Sequence, residues 1–175
     1  MKGKAHPINA PLWVIRAGLE SADHGSAAHS LFINDGVIVL IEQGMKDMRA
    51  LPKDRQAFYT AYKSRHASEG ITAIKGIGGK FFRFVHEVKV GDNILYPCRL
   101  DMKIYFGVVT GSYFYDSTRK EFPHSRCVSW LTSFPKKELS LYAKRELNTA
   151  RTFFLLKKNA EEIRRHISTI VKDHK

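Results

Sequence analysis

Tyr113, Tyr115, His124, Arg126 and Trp130 are the side chains in this sequence whose types and spacing could act together on one ligand. They lie in a single stretch, KIYFGVVTGSYFYDSTRKEFPHSRCVSWL, over residues 103–131. An extended chain alternates its side chains, so Tyr113 and Tyr115 share one face and Phe114 takes the other. The same period puts His124, Arg126, Val128 and Trp130 on one side of a second strand. Two neighbouring strands would then aim aromatic rings, an imidazole and a guanidinium at one region, with Asp116 at its margin. The chemistry such a mixture suits is recognition of a flat, polar-edged ring such as a nucleobase. Each residue also has a purely structural role open to it. A tryptophan can be plain core, Tyr115 can cap a hairpin, and His124 and Arg126 can bridge to Asp116.

Other candidates for chemistry are weaker. Asp23, His24, Ser26 and His29 fall close together in ESADHGSAAH, but a catalytic triad is defined by geometry, and small polar residues in a row read first as a loop. GIGG at 76–79 lacks both the GxGxxG spacing and the lysine of a phosphate loop, and reads as a flexible turn. Glu87-Val88-Lys89 has the form of half a nuclease site but no second carboxylate to complete it. Cys98 and Cys127 have no metal-type spacing and sit in apolar contexts, the usual setting of buried thiols. Eight scattered histidines form no HExxH-like pair, so neither metal nor cofactor is expected.

Several elements must position the central stretch. Leu12 to Arg16 reads as a first strand and Gly36 to Ile41 as a strand buried on both faces. Pro52 opens a helical segment in which Phe58 and Tyr62 share a stripe. A short helix around Lys80 to Val88 places Phe81, Phe84, Val85 and Val88 on one face. Asn93 to Pro97 pairs with Ile104 to Val109 through the RLDMK hairpin, and after Trp130 Phe134-Pro135 ends the strand set. Lys137 to Leu147 is helical, with Leu139, Tyr142, Ala143 and Leu147 on one stripe. Thr152-Phe153-Phe154 favours a closing strand. A last amphipathic helix carries Ile163, Ile167, Ile170 and Val171. Five or six strands with two or three helices make an α+β fold, a small β-barrel decorated with helices.

The formal net charge is +12 over 175 residues. Residues 136–175 contain 11 basic and 5 acidic side chains, half of the excess in under a quarter of the chain. A polyanionic partner, nucleic acid above all, is the physical counterpart of that balance. No apolar run approaches a membrane span. The first residues lack the apolar core of a signal peptide, which points to the cytoplasm.

The order of blocks carries a family likeness: Trp13-Val-Ile-Arg-Ala-Gly, Phe81-Phe-Arg-Phe leading to Gly91-Asp92, Gly107-Val-Val-Thr-Gly-Ser-Tyr-Phe-Tyr, and His124-Ser-Arg-Cys-Val-Ser-Trp-Leu. It resembles the N-terminal PUA-like domain of Mrr-type, methyl-directed restriction endonucleases, related in fold to EVE and YTH domains, which read modified bases. The likeness covers residues 12–156, with 1–11 as a lead-in and 157–175 as a basic amphipathic helix or linker. It implies a PUA-like barrel that binds double-stranded DNA and holds a flipped, modified base in an aromatic pocket. By resemblance, Arg16, Ala17 and Gly18 match the stretch that touches the base in YTH domains. Trp13, Tyr113, Tyr115 and Trp130 become cage walls, and His124 and Arg126 meet a base edge or phosphate. The tryptophan that relatives carry near the second strand, around Ile38 to Gln43, is absent here. Lys136, Lys137, Lys144 and Arg145 are the expected backbone contacts. Such readers serve a nuclease or NTPase domain or subunit and are not themselves enzymes. Three rival readings differ in class: an RNA-binding PUA-like module, an enzyme using Asp23, His24, His124 or Glu87 and Lys89, and an interaction module that docks a partner through Ile167.

Overall fold

Apolar residues on both faces of the same strands force this sheet to be covered twice. In β1 (Leu12–Ile15), Leu12 and Val14 join one apolar cluster while Trp13 and Ile15 join another. The computed structural model describes residues 8–18, 22–41 and 44–173. Among these, seven strands and five helices form a mixed α+β fold around one curled sheet.

The strand order is β2 (Val37–Leu40), β6 (His124–Pro135), β4 (Lys103–Val109), β3 (Asn93–Pro97), β1 and β7 (Phe153–Leu155), with β5 (Phe114–Tyr115) paired to the start of β6 on the edge opposite β2. All neighbouring pairs are antiparallel except β1 with β3, where Trp13 lies opposite Ile94. The β3–β4 hairpin pairs Leu95 with Phe106. A register shift at Phe106/Gly107 bends β4 against β6 and gives the sheet its curl. A Cβ on Gly107 would stand 2.6 Å from the Ser129 carbonyl oxygen, so only glycine permits this approach. The curl brings the two edge strands, β2 and β7, toward each other without joining them.

The concave face packs against α1 (Ala22–Ile33), α2 (Arg55–Lys63) and α3 (Ile71–Phe82) through Ala28, Phe32, Phe58, Tyr62, Ile74 and Phe81. The convex face packs against α4 (Leu141–Leu147) and α5 (Ala160–Asp173) through Ala143, Leu147, Ile163 and Ile167. The C-terminal helix is therefore part of the core rather than a linker. Ile167 is fully buried, so it offers no free face to a docking partner. No described helix is long and apolar enough to cross a membrane.

Two segments expected to be loops are helices. ESADHGSAAH runs into α1 because Ala28 and Phe32, four apart, bury completely against the sheet. GIGG lies inside α3, so that helix starts at Ile71 rather than near Lys80. Of its glycines, Gly78 serves packing: a Cβ there would meet the Tyr59 ring at 2.8 Å and the Phe58 carbonyl oxygen at 3.1 Å. Close approach of α2 outweighs the helix propensity lost at glycine. Beyond Phe82 the helix widens into a π-type turn over Arg83–Glu87. Tyr142, expected on the buried stripe of its helix, is 72% exposed, and Leu139 reaches the core from just before α4.

Candidate functional site

The cluster expected around Tyr113 and Trp130 does not form one surface. Tyr113, Tyr115 and His124 do meet. The Tyr113 hydroxyl lies 2.9 Å from His124 Nδ1, and the Tyr115 ring stands edge-on at 5.3 Å. His124 is wholly buried, however, with Phe81 against its ring. Arg126 points into the same interior. Its Nε donates to the Phe84 carbonyl at 2.7 Å, Nη2 to Val85 at 3.0 Å and Nη1 to Gly111 at 3.1 Å. It is a clasp on the π-type turn, whose widened carbonyls have no helical donors, and not a reader of a base edge. Asp116 bridges to neither; it caps its own turn through Thr118 and pairs with Arg119 at 3.3 Å.

The tryptophans are spent on structure as well. Trp13 stacks on Phe153 at 5.3 Å and donates its indole N–H to Asp92 at 2.9 Å. Trp130 packs against Tyr96 and Tyr105 and donates to the Phe32 carbonyl at 2.5 Å, which ties α1 to the sheet. A cage built from Trp13, Tyr113, Tyr115 and Trp130 is thus replaced by two separate core contacts and one buried tyrosine–histidine pair. Among the enzyme candidates, Glu87 pairs with Arg55, and the Asp23 and His24 side chains lie outside the described residues.

Burial lowers the His124 pKa from its ordinary 6.5 to about 4, against a weaker pull from Asp47 and in the same sense as Lys80. The unfolded chain therefore binds the extra proton first as pH falls. The stabilisation is complete above pH 6.5 and disappears toward pH 4, a loss of about 3 kcal/mol. Urea unfolding at pH 7 and pH 4.5 should show it, and His124→Phe should flatten the difference. An unchanged acid slope in that variant would refute the assignment.

Two parts of the expectation open onto cavities: Tyr113 and Arg126 border one of about 410 Å³ with Arg49, His86 and Lys89, and the end of β1 borders another. Arg16 and Gly18 line a cavity of about 450 Å³ at the seam between edge strands β2 and β7, roofed by α3. Ala17 lies between them, half-buried. Val39, Ile41, Ile77 and Phe153 supply apolar walls. Lys80 and Arg83, three apart on one helix face, and Arg151 join Arg16 as its charged members. Among the described residues the lining contains no carboxylate. Arg16 donates to the Thr149 carbonyl, which fixes the guanidinium at the cavity wall. Burial, and then the neighbouring Arg99, lower its pKa. Arg83 is lowered by burial first and by Arg55 next, and its Nε has no hydrogen-bond partner among the described residues.

Lys136 and Lys144 extend this positive field from the cavity across the adjacent surface. Lys136 is lowered by burial and then by Arg16, Arg99 and Lys144. Its Nζ donates to Asn148 at 2.5 Å, and Lys144 Nζ donates to the Lys137 carbonyl at 3.0 Å. Lys137 and Arg145 are exposed. Sequence reasoning missed Lys80, Arg83, Arg99 and Arg151. The signal was there in part, since the helix expected around Lys80 to Val88 already sets Lys80 and Arg83 three apart on one face.

A family profile described as "Domain of unknown function (DUF8426)" matches residues 13–157. The chain belongs to the DUF8426 family. The matched span runs from β1 through β7 and so holds every described wall of the cavity. Neither curated proteins nor solved structures gave a match.

Proposed function

We propose that this DUF8426 domain is a non-catalytic nucleic-acid reader that takes a flipped, modified base of double-stranded DNA into the cavity between β2 and β7. The observation that carries this reading is the charge of the cavity: four cations, Arg16, Lys80, Arg83 and Arg151, around apolar walls with no described acid. Apolar walls accept a base and its methyl group, while cations at the rim hold its phosphates. A volume near 450 Å³ falls in the range of about 300–1,000 Å³ used for small ligands. Arg16 and Gly18 occupy the positions that the likeness to PUA-like, EVE and YTH domains assigns to base contact. The aromatic partner in this version is Phe153 backed by Trp13, and guanidinium planes can stack where further rings are missing. In this reading the domain supplies specificity to a nuclease or NTPase domain or subunit of a modification-dependent restriction system, in the cytoplasm.

A titration against matched duplexes, unmodified or carrying 5-methylcytosine or N6-methyladenine, tests it at two salt concentrations. Gly76 lies on the cavity wall, and a Cβ there meets nothing within 4 Å. Gly76→Leu therefore adds an apolar side chain whose Cβ is unobstructed, and it favours the helix. The wild type should prefer one modified duplex, and Gly76→Leu should abolish that preference while leaving the salt-dependent binding common to all three. Equal binding of all duplexes by the wild type would overturn the reading. Tighter binding to single-stranded RNA than to every duplex would replace DNA by RNA as the partner.

A further inference from the structure

The hairpin joining β3 to β4 ends in two apolar side chains held out in water, Leu100 at 61% and Met102 at 59% exposure. Scattered exposed apolar residues are ordinary. These two differ in how firmly they are presented and in what surrounds them. The Cys98 N–H donates to the Lys103 carbonyl at 2.8 Å and closes the hairpin. Asp101, between the two, is exposed and accepts from the Lys103 N–H at 3.0 Å and the Tyr105 hydroxyl at 2.6 Å along the hairpin. Met102 has a left-handed φ of 59°, the only described non-glycine residue to do so. A side chain without hydrogen-bonding ability gains nothing locally from that conformation, and strain kept at a solvent-facing tip points to use.

Cations flank the tip, with Asp101 as the carboxylate inside it. Arg99 and Lys103 flank the tip and are exposed. The Lys136 N–H donates to the Met102 carbonyl at 2.9 Å, and Lys136 Nζ reaches Asn148. The next residue, Thr149, accepts from Arg16, which is the cavity wall. A short run of direct hydrogen bonds thus links the hairpin tip to the cavity mouth, along a strip of Arg99, Lys136 and Lys144.

We propose that the Leu100–Met102 tip is a wedge that enters a base step of the duplex beside the nucleotide held in the cavity. The inference rests on the nucleic-acid reading of that cavity. A duplex presents stacked apolar rings between two rails of phosphate, which matches an apolar tip between cations. Apolar wedges of this kind unstack a step and offset the cost with added contacts. Leu100 and Met102 would fill the gap that extrusion of the base leaves.

The test uses duplexes with 2-aminopurine beside 5-methylcytosine, N6-methyladenine or the unmodified base, and a parallel set with a mismatch at the same step. The wild type should raise 2-aminopurine fluorescence. Leu100→Ser/Met102→Ser should lose the rise and bind the intact duplex about tenfold more weakly, with a much smaller deficit on the mismatched one. Its salt slope should stay the same because no cation is removed. Thermal unfolding should match the wild type, since both side chains face solvent. Fluorescence and affinity equal to the wild type would overturn the wedge. So would a variant that loses binding only to phosphatidylserine vesicles, which would make the tip a lipid contact. Failure of the base-reading cavity is separable, because it shows as a wild type indifferent to modification whatever the 2-aminopurine signal does.

Discussion

Arg126→Ala is expected to cost about 3–5 kcal/mol of folding stability, a large share of the roughly 5–15 kcal/mol margin of a folded domain. Arg126 is 3% exposed, and its guanidinium donates to three carbonyls, Phe84, Val85 and Gly111, from two segments of the chain. It also lies over the Phe84 ring at 5.7 Å. Removing it strands buried acceptors, each worth about 1–3 kcal/mol unsatisfied. Burial lowers its pKa to about 10, with Asp92 opposing, so it stays charged at neutral pH and its hydrogen bonds are charge-assisted. Lysine cannot reproduce the planar fork, and Arg126→Lys should recover less than half of the loss. Urea denaturation of the two variants decides the matter. A change below about 1 kcal/mol in Arg126→Ala would show that the clasp is dispensable. The consequence for function is indirect. Arg126 holds the π-type turn that begins at Arg83, and with it the face of α3 that lines the cavity.

The second large effect is on binding. Lys80→Glu/Arg151→Glu should weaken duplex binding by about 100- to 1,000-fold near 0.1 M salt. Each phosphate contact contributes about 0.9 to the slope of log affinity against log salt, so it is worth roughly an order of magnitude at that concentration. Reversal removes two such contacts and adds repulsion. Both side chains lie on the cavity wall, Lys80 half-buried beside Phe81 and Arg151 exposed over Phe154 at 4.5 Å. Neither is a core residue, so thermal stability should change little. Filter binding across a salt series reads both quantities. A salt slope unchanged by the double reversal would place the phosphate contacts elsewhere, for instance on the Lys137–Arg145 side alone. The same variant on Lys137→Glu/Arg145→Glu as comparison separates cavity from flank.

Much of the framework was legible because its signals are local. Alternating or continuous apolar runs located β1, β2, β3, β4 and β7, and the RLDMK turn paired β3 with β4. The first half of β6, from His124 to Trp130, was also readable, whereas its continuation to Pro135 was not. The helices that escaped, over Ala22–Ile33 and the first part of Ile71–Phe82, look wrong by composition. Small polar residues and glycines suggest loops, yet Ala28 packs on the sheet and Gly78 lets two helix backbones close up. Propensity was overruled by packing.

By itself the sequence determined that this is an α+β domain with an apolar sheet, a strong positive charge and a tyrosine–histidine pair on adjoining strands. Those properties depend on residue type and on a period of two, which need no knowledge of distant partners. The tertiary structure decided where the polar groups went. His124 and Arg126 share a strand face with Trp130, but α3 covers the first two and α1 covers the last, so one line of residues serves two interiors. The cavity exists only because the curl set at Gly107 brings β2 and β7 close without pairing them, and because α3 lays Lys80 and Arg83 across the gap. Its walls come from residues 16–18, 39–41, 76–83 and 150–153, segments whose proximity no local pattern encodes. Strand and helix follow from neighbours in the chain, whereas a site at an unclosed seam follows from how far the whole sheet bends.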